Sequence, residues 1–263
     1  MSGFFLIGYV YAIDLFSFTN PSFWQLFAGV VIYILSVYFL NSYFDYQDDQ
    51  QNPRLTYLAT FKRNHYLVLT GLAVLSFSAI FFFLKLTIFI ISILSFSLWL
   101  MYYKPGIRLK GSFLFGTVIH LVGGILHFHI GYLVASPFSM ASLAISFYIA
   151  WMLCIGHFHH EIIDYEADKK NNLRTTTVRA GIDPILNVIG IMFILSILIW
   201  LTIYWMSYID FVEFVPFLLA SFVLTVTYYI KRSTGSLRPL AFRRFYRVIF
   251  FIAGLSVLGS KIF

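Results

Sequence analysis

Long apolar runs occupy most of this 263-residue chain and restrict its fold more than any other feature. Nine of them are close to the roughly 20 residues that a helix needs to cross the hydrocarbon core of a bilayer. Hydrophobic residues make up 60% and charged residues 11% of the chain, whereas soluble domains carry about 25% charged residues. The predicted spans are 3–18, 22–44, 65–84, 86–103, 112–134, 138–162, 184–206, 211–230 and 244–262.

A backbone inside hydrocarbon must satisfy its own hydrogen bonds, so only helices and closed barrels span membranes. The apolar runs are too long and alternate too little for barrel strands. The sequence therefore predicts an all-α, polytopic membrane bundle of about nine transmembrane helices. No linker interrupts the chain, so we expect residues 1–263 to form one domain.

The basic residues predict how the bundle is oriented. Sixteen of the 18 Lys and Arg residues lie in alternate connecting segments, and the exceptions are Lys85 and Lys261. By the positive-inside rule, these segments face the cytoplasm. Topology thus accounts for the net charge of +7, and no nucleic-acid partner is predicted. We expect a multi-pass protein of a bacterial inner membrane. The basic segments are 45–64, 104–111, 163–183 and 231–247.

The acidic residues are concentrated at two predicted helix ends on the same cytoplasmic side. Acidic side chains at membrane depth are costly and usually mark a functional cavity. For Asp48 and Glu166 an ordinary surface position is an equal alternative. The matched four-residue spacing of two pairs, Asp45 with Asp49 and Asp164 with Asp168, favours a shared site. Seven of the 11 acidic residues belong to this set: Asp45, Asp48, Asp49, Glu161, Asp164, Glu166 and Asp168.

Their spacing places these residues in two columns, because residues three or four apart lie on one face of a helix. Two columns of like charge repel each other and bind protons or a cation. Paired carboxylates suit Mg²⁺, which bridges them to substrate phosphates. The first column is Asn41, Asp45 and Asp49, and the second is His157, Glu161, Asp164 and Asp168.

Basic residues follow closely on both sides of these columns. Ammonium and guanidinium groups bind the phosphate oxygens that a metal leaves free. The sequence therefore predicts a magnesium-bound diphosphate at the cytoplasmic face, although topology alone also explains the side on which each basic residue lies. The candidate phosphate contacts are Lys104, Arg108, Lys110, Lys169, Lys170 and Arg174.

Three segments resemble the UbiA superfamily of intramembrane prenyltransferases. Residues 41–49 (NSYFDYQDD) resemble its first motif, NxxxDxxxD, and residues 164–181 (DYEADKKNNLRTTTVRAG) resemble its second motif, DxxxD with a basic stretch, threonines and glycine. Residues 103–110 (YKPGIRLK) resemble the basic, Tyr-containing loop between the motifs. The order of the motifs and the nine spans also fit, so the resemblance covers nearly the whole chain.

The resemblance implies an enzyme that transfers an isoprenyl group from an isoprenyl diphosphate to a small aromatic or lipid acceptor within the bilayer. In the family, Mg²⁺ bridges the aspartate motifs to the diphosphate, and ionisation gives an allylic carbocation that the acceptor attacks. By position, the metal ligands would be Asn41, Asp45, Asp49, Asp164 and Asp168, and Asn41, Asp45 and Asp164 would be catalytic. The diphosphate contacts would be Lys104, Arg108, Lys110, Lys169 and Arg174.

The chain departs from the family pattern at several positions. Ser42 replaces a common Asp, and Asn172 replaces the usual Gly of the second motif. Asn tolerates the left-handed backbone conformation, so we expect this turn to survive. The Arg-Pro pair that usually follows the first motif is absent, and Arg54 or Arg63 is its candidate substitute.

The histidines allow three interpretations. His157 shares a helix face with Glu161, and His160 shares one with Asp164. These residues and His127 could accept a proton from the acceptor or form a polar pocket for it. They could also bind a transition metal or provide buried polar packing between helices.

Three other functions remain open from the sequence alone. A UbiA-type terpene cyclase would act on the isoprenyl diphosphate without an acceptor. A transporter could use the same carboxylates and histidines to carry protons or metal ions, but its sites would lie nearer the membrane centre. A structural membrane subunit would have no use for two matched acidic columns. Acceptor identity, isoprenoid length and oligomeric state are not predicted.

Overall fold

The protein is all-helical in the computed structural model, which describes residues 2–16, 19–46, 62–107 and 109–262. Ten α-helices and one 3₁₀ turn, Leu109–Gly111, are present in these ranges, with no strand among them. The helices are α1 Ser2–Tyr11, α2 Pro21–Phe44, α3 Arg63–Leu84, α4 Leu86–Tyr103, α5 Phe115–Ala135, α6 Met140–Lys170, α7 Thr176–Ala180, α8 Ile182–Trp205, α9 Phe211–Ser233 and α10 Pro239–Ser260.

Local sequence determines where several helices begin. Asn20 caps α2 by accepting a hydrogen bond from the Ser22 N–H at 3.0 Å, and Pro21 occupies the first helical position. This is the position that proline tolerates best, because its missing N–H would have no partner in the helix. Ser139 and Ser142 form a reciprocal capping box at the start of α6. Such caps satisfy N–H groups that the first turn leaves without partners.

Seven helices, α2 to α6 together with α8 and α9, are long and apolar enough to cross a membrane, as a multi-pass membrane protein requires. The predicted span 138–162 is too short, because α6 continues to Lys170 and keeps the second acidic column helical. The predicted span 3–18 is too long, because α1 ends at Tyr11. Ten residues rise only about 15 Å, which is half of a hydrocarbon core.

Helix α1 packs closely against α5 at two glycines. A Cβ atom at Gly131 would overlap the carbonyl oxygen of Phe5, and a Cβ atom at Gly8 would overlap that of Phe128. The absence of side chains therefore lets the two backbones touch, as small residues do between membrane helices.

The buried side chains form two clusters that meet along α5 and α6. One contains Phe193, Trp200 and Tyr228 and joins α6 to α8, α9 and α10. The other contains Tyr33 and Trp99 and joins the five helices from α1 through α5. Helices that follow one another in sequence are mostly neighbours in space. This arrangement brings the ends of α2, α4 and α6 to one end of the bundle.

The two basic residues outside the predicted cytoplasmic segments both lie at the opposite end. Lys85 donates to the carbonyl oxygen of Leu133 at 2.9 Å, near the end of α5. Lys261 lies 2.7 Å from Glu213 in an ion pair. Both ammonium groups are therefore compensated locally. The structure agrees with the predicted alternation of the loops, while the assignment of one face to the cytoplasm remains a prediction.

Candidate active site

The first acidic column lies at the end of α2. Asp45 is the C-terminal cap of this helix, and its N–H donates to the carbonyl oxygen of Asn41 at 2.9 Å. Both carboxylate oxygens of Asp45 accept hydrogen bonds from Nζ of Lys110, which follows α4. A cation therefore already compensates the first carboxylate of the motif. Four residues considered at this site lie outside the described residues, namely Asp48, Asp49, Arg54 and Arg108.

The second acidic column ends in a defined turn. The N–H of Leu173 donates to the carbonyl oxygen of Asp168 at 2.9 Å, and the N–H of Asn172 donates to that of Lys169 at 3.2 Å. Asn172 has φ +54°. This is the Schellman pattern, in which a left-handed residue closes the helix. The expected left-handed conformation of Asn172 is confirmed.

Buried hydrogen bonds fasten the segment after α6 to the helix itself. One carboxylate oxygen of Glu161 accepts from both the N–H and the hydroxyl of Thr177, each at 2.9 Å. The N–H of Arg174 donates to the carbonyl oxygen of Gly111 at 3.1 Å, and the N–H of Leu114 donates to Thr176 Oγ1 at 3.2 Å. The loop that carries Lys110 is therefore held against the end of the second motif.

The two motifs meet around Lys110 and Tyr102. Lys110 binds Asp45 directly and lies within electrostatic range of Asp168, which interacts with the Thr175 side chain. The Tyr102 hydroxyl lies within electrostatic range of Asp45, Glu161 and Asp168. Carboxylates from α2 and α6 thus border one region at one end of the bundle.

The remaining residues of the second column differ in exposure. Asp164 lies 3.1 Å from Nδ1 of His160, and their side chains are 44% and 51% exposed. Glu161 is buried, and its second oxygen lies 3.1 Å from Nε2 of His157. The exposed part of the column therefore surrounds Asp164, whereas Glu161 serves as a buried anchor.

The predicted phosphate contacts differ in the contacts that they make with the site and in their exposure. Arg63 donates from Nε to the carbonyl oxygen of Tyr43 at 3.2 Å and stacks on the Tyr43 ring at 4.6 Å, beside the end of α2. Lys104, Lys169 and Arg174 are exposed. Among the described predicted contacts, only Lys110 forms an ion pair with a motif carboxylate.

The oxygen donors present suit a hard divalent ion. Asn41, Asp45, Asp164 and Asp168 supply amide and carboxylate oxygens, and the negative charges of Asp164 and Glu161 both act on Asp168. Within the described residues, no three His, Cys, Asp or Glu side chains already form a metal-binding group. A metal with few protein ligands, such as Mg²⁺ completed by water and phosphate, fits this donor set.

A model of the UbiA prenyltransferase family matches residues 2–255. The chain belongs to the UbiA prenyltransferase family. No curated protein matches it. Among solved structures, a UbiA homologue from Archaeoglobus fulgidus bound to GPP and Mg²⁺ is 14% identical, with a TM-score of 0.78 and coverage of 99% of this chain and 95% of that chain.

Two other solved structures have similar folds. An apo UbiA homologue from Aeropyrum pernix K1 is 14% identical, with a TM-score of 0.77 and coverage of 99% and 98% of the two chains. A structure described as digeranylgeranylglyceryl phosphate synthase is 15% identical, with a TM-score of 0.76 and coverage of 99% and 92%. At these identities the similarity shows the fold alone.

In this UbiA family member, His127 lies in a buried aromatic cluster. Its Nε2 lies 3.2 Å from the indole nitrogen of Trp99 and 3.3 Å from the hydroxyl of Tyr33. Its ring stacks on Phe5 with centroids 4.7 Å apart. Nε2 of His127 accepts from Trp99, whereas its Nδ1 is buried without a hydrogen-bond partner among the described residues.

His120 was not singled out by the sequence reasoning, yet it adjoins the candidate site. Its ring stacks on His157 with centroids 3.9 Å apart and planes at 18°. Tyr102 packs edge-on against His120 at 5.3 Å. Its position seven residues before His127, which is about two turns and therefore the same face of α5, was the available signal.

Arg243 on α10 was also missed, because its segment was interpreted only as a topology signal. It lies within electrostatic range of Asp164 on α6 and Tyr38 on α2. Phe242 beside it stacks on His159 at 5.3 Å, which fixes the register of α10 against α6. The last helix of this UbiA fold therefore places a cation beside the second motif.

An apolar groove of about 460 Å³ lies away from this site. Lys85, His129, Leu133 and Phe138 are among its lining residues, at the opposite end of the bundle. It contains none of the motif carboxylates, so we do not associate it with the candidate active site.

Proposed function

We propose that this UbiA family member transfers an isoprenyl group from an isoprenyl diphosphate to a small aromatic or lipid acceptor within the membrane, and that Mg²⁺ is its cofactor. The convergence of Asp45, Lys110 and Asp168 carries this proposal, because it joins the two aspartate motifs and a cation in one region. Homologues of this fold are described as bound to GPP or DMAPP with Mg²⁺.

Different residues of the chain would bind the metal and the diphosphate in the proposed reaction. Asn41, Asp45, Asp49, Asp164 and Asp168 would hold the metal, which when bound neutralises charge on the departing diphosphate. Lys110 would move from Asp45 to the diphosphate oxygens, since an ammonium group binds either anion. The other proposed phosphate contacts are Arg63, Lys104, Arg108, Lys169 and Arg174.

Removing single motif carboxylates tests this function. Asp45→Asn and Asp164→Asn keep the side-chain shape but lose the charge that binds metal. With purified protein in lipid nanodiscs, Mg²⁺ and labelled geranyl diphosphate, we expect diphosphate release to fall at least 100-fold in each variant, because electrostatic stabilisation of the leaving group is lost. Chelation of Mg²⁺ should have the same effect on the wild type.

Asp183→Asn is the matched control, because Asp183 is an exposed acidic residue in the first turn of α8 and belongs to neither motif. Its variant should retain wild-type release. Equal release by wild type, Asp45→Asn and Asp164→Asn would refute the proposed site. Addition of candidate acceptors separates two activities: a prenylated acceptor indicates the transferase, and a cyclic hydrocarbon formed equally with and without acceptor indicates the cyclase.

A further inference from the structure

His120 presents one unpaired ring nitrogen beside the candidate site. Its Nδ1 lies 2.8 Å from the carbonyl oxygen of Gly116. A carbonyl oxygen only accepts, so Nδ1 carries the hydrogen and the uncharged ring has its lone pair on Nε2. Among the hydrogen bonds of the described residues, none involves Nε2 of His120. The residue is partly buried rather than fully enclosed.

A fixed carboxylate lies beside the ring that stacks on His120. His157 stacks on His120 with centroids 3.9 Å apart, and Nε2 of His157 lies 3.1 Å from the Glu161 carboxylate. Glu161 cannot turn away, because Thr177 binds its other oxygen. The carboxylate is therefore placed to offset a positive charge that forms transiently on the stacked pair.

Gly116 lies beside this arrangement. A Cβ atom at this position would lie 3.4 Å from Nε2 of His157 and 3.7 Å from the Tyr102 ring, which are ordinary van der Waals distances. Residues of α4, α5 and α6 therefore lie at one level of the bundle.

The histidine pair lies on the membrane side of the carboxylates. Tyr102 contacts His120 and lies within electrostatic range of Asp45 and Asp168, so one aromatic ring separates His120 from the motifs. His157 precedes Asp164 by seven residues, which is about 10 Å along the helix. An isoprenyl group attached to a diphosphate at the motifs would begin at this depth.

We propose that Nε2 of His120 accepts the proton that is lost when the isoprenyl cation is quenched. This inference rests on the proposed prenyl transfer. The allylic C–O bond breaks, and its electron pair leaves with the diphosphate. The acceptor forms the new bond to the allylic carbon and gives up its C–H or O–H proton to Nε2. His120 later releases that proton to water, so charge and atoms balance.

An acceptor-free reaction tests His120 as a base without knowledge of the acceptor. With geranyl diphosphate and Mg²⁺, an ionised geranyl group either loses a proton to a base and becomes a hydrocarbon, or captures water and becomes an alcohol. His120→Asn keeps an N–H near the position of Nδ1 but removes the base. We expect the hydrocarbon-to-alcohol ratio to fall at least tenfold, since general bases contribute about 10²- to 10⁴-fold.

His129→Asn is the matched control. His129 lies on the same helix and makes the same bond to a carbonyl oxygen four residues earlier, at 2.9 Å from Ile125, but it lines the distant groove. Its variant should keep the wild-type product ratio. An unchanged ratio in His120→Asn, or wild-type protein that releases diphosphate and forms only alcohols, would overturn the assignment.

A second measurement covers the case in which His120→Asn does not fold. Diethyl pyrocarbonate modifies uncharged, accessible imidazole nitrogens. Mass spectrometry of the wild type should therefore show that His120 is labelled. Mg²⁺ together with a non-ionisable geranyl diphosphate analogue should block this labelling. His127, with Nε2 bonded to Trp99, should label at least tenfold less. Absence of labelling at His120, or labelling without protection, contradicts the inference. Wild-type protein that releases no diphosphate would refute the proposed function itself.

Discussion

At the residue scale, the charge balance of Asp45 is the central feature. Its carboxylate faces the ammonium group of Lys110, and the described part of the site contains no other cation in direct contact with Asp45. A metal ion that binds Asp45 must displace Lys110, and a diphosphate offers the displaced ammonium a new partner. Binding of metal and of diphosphate should therefore reinforce each other.

Lys110→Met separates these two effects. Without the competing ammonium, Mg²⁺ alone should bind more tightly than to the wild type. Without the phosphate contact, diphosphate in the presence of Mg²⁺ should bind tenfold to 100-fold more weakly, since a charged hydrogen bond contributes about 1.5–3 kcal/mol. Isothermal titration of Mn²⁺ or Mg²⁺, with and without pyrophosphate, measures both changes.

Lys231→Met provides the comparison, because Lys231 is an exposed basic residue at the end of α9 outside the site. It should leave both affinities unchanged. If Lys110→Met weakens the binding of the metal alone, Lys110 does not compete with the metal for Asp45.

At the element scale, close helix contacts depend on glycine. The pairing of α1 with α5 relies on Gly8 and Gly131, where each backbone touches the other. The turn after α6 relies instead on Asn172, whose left-handed conformation ends the helix just beyond Asp168. Both features position an element without a charged contact, and the glycine contact can be tested by adding a single methyl group.

Gly131→Ala should separate α1 from α5. The new methyl group would overlap the carbonyl oxygen of Phe5, and overpacking of this kind costs about 1–3 kcal/mol. We expect a lower thermal unfolding midpoint in detergent micelles. Gly71→Ala is the control, because a Cβ atom at Gly71, within α3, meets no other atom within 4 Å. A midpoint for Gly131→Ala equal to that of the control would show that α1 does not pack as described.

At the scale of the whole molecule, the two ends of the bundle differ in chemistry. The end with the motifs carries most of the basic residues, whereas the opposite end contains Lys85 and Lys261, both bonded locally. The positive-inside rule assigns the motif end to the cytoplasm. The proposed isoprenyl diphosphate would then reach the site from the cytoplasmic side of the membrane.

Cysteine labelling tests this orientation directly. Cys154 is the only cysteine and is buried, so a Cys154→Ala background removes it with little surface change. In spheroplasts, a membrane-impermeant maleimide should label Ser207→Cys, which lies between α8 and α9. Lys231→Cys, at the end of α9, should label only after permeabilisation. The reverse result would invert the proposed topology.

Much of the fold was predictable because its causes are local. Bilayer thickness sets the length of an apolar run, so α4 matches its predicted span 86–103. The larger differences concern α1, α6 and α10. The predicted span 244–262 overlaps α10, which begins at Pro239 and is not among the seven helices apolar enough to cross a membrane. Helix periodicity likewise predicted that His157 and Glu161 face each other, and backbone sterics predicted the conformation of Asn172.

The sequence by itself determined the all-helical membrane class and the family and predicted the two acidic columns, because helix period and hydrophobic length act over a few turns. Only the tertiary structure decided that Lys110 compensates Asp45, that Thr177 holds Glu161, and that His120 stacks on His157. These contacts join residues far apart in the chain, and their partners depend on how whole helices pack, which no local spacing encodes.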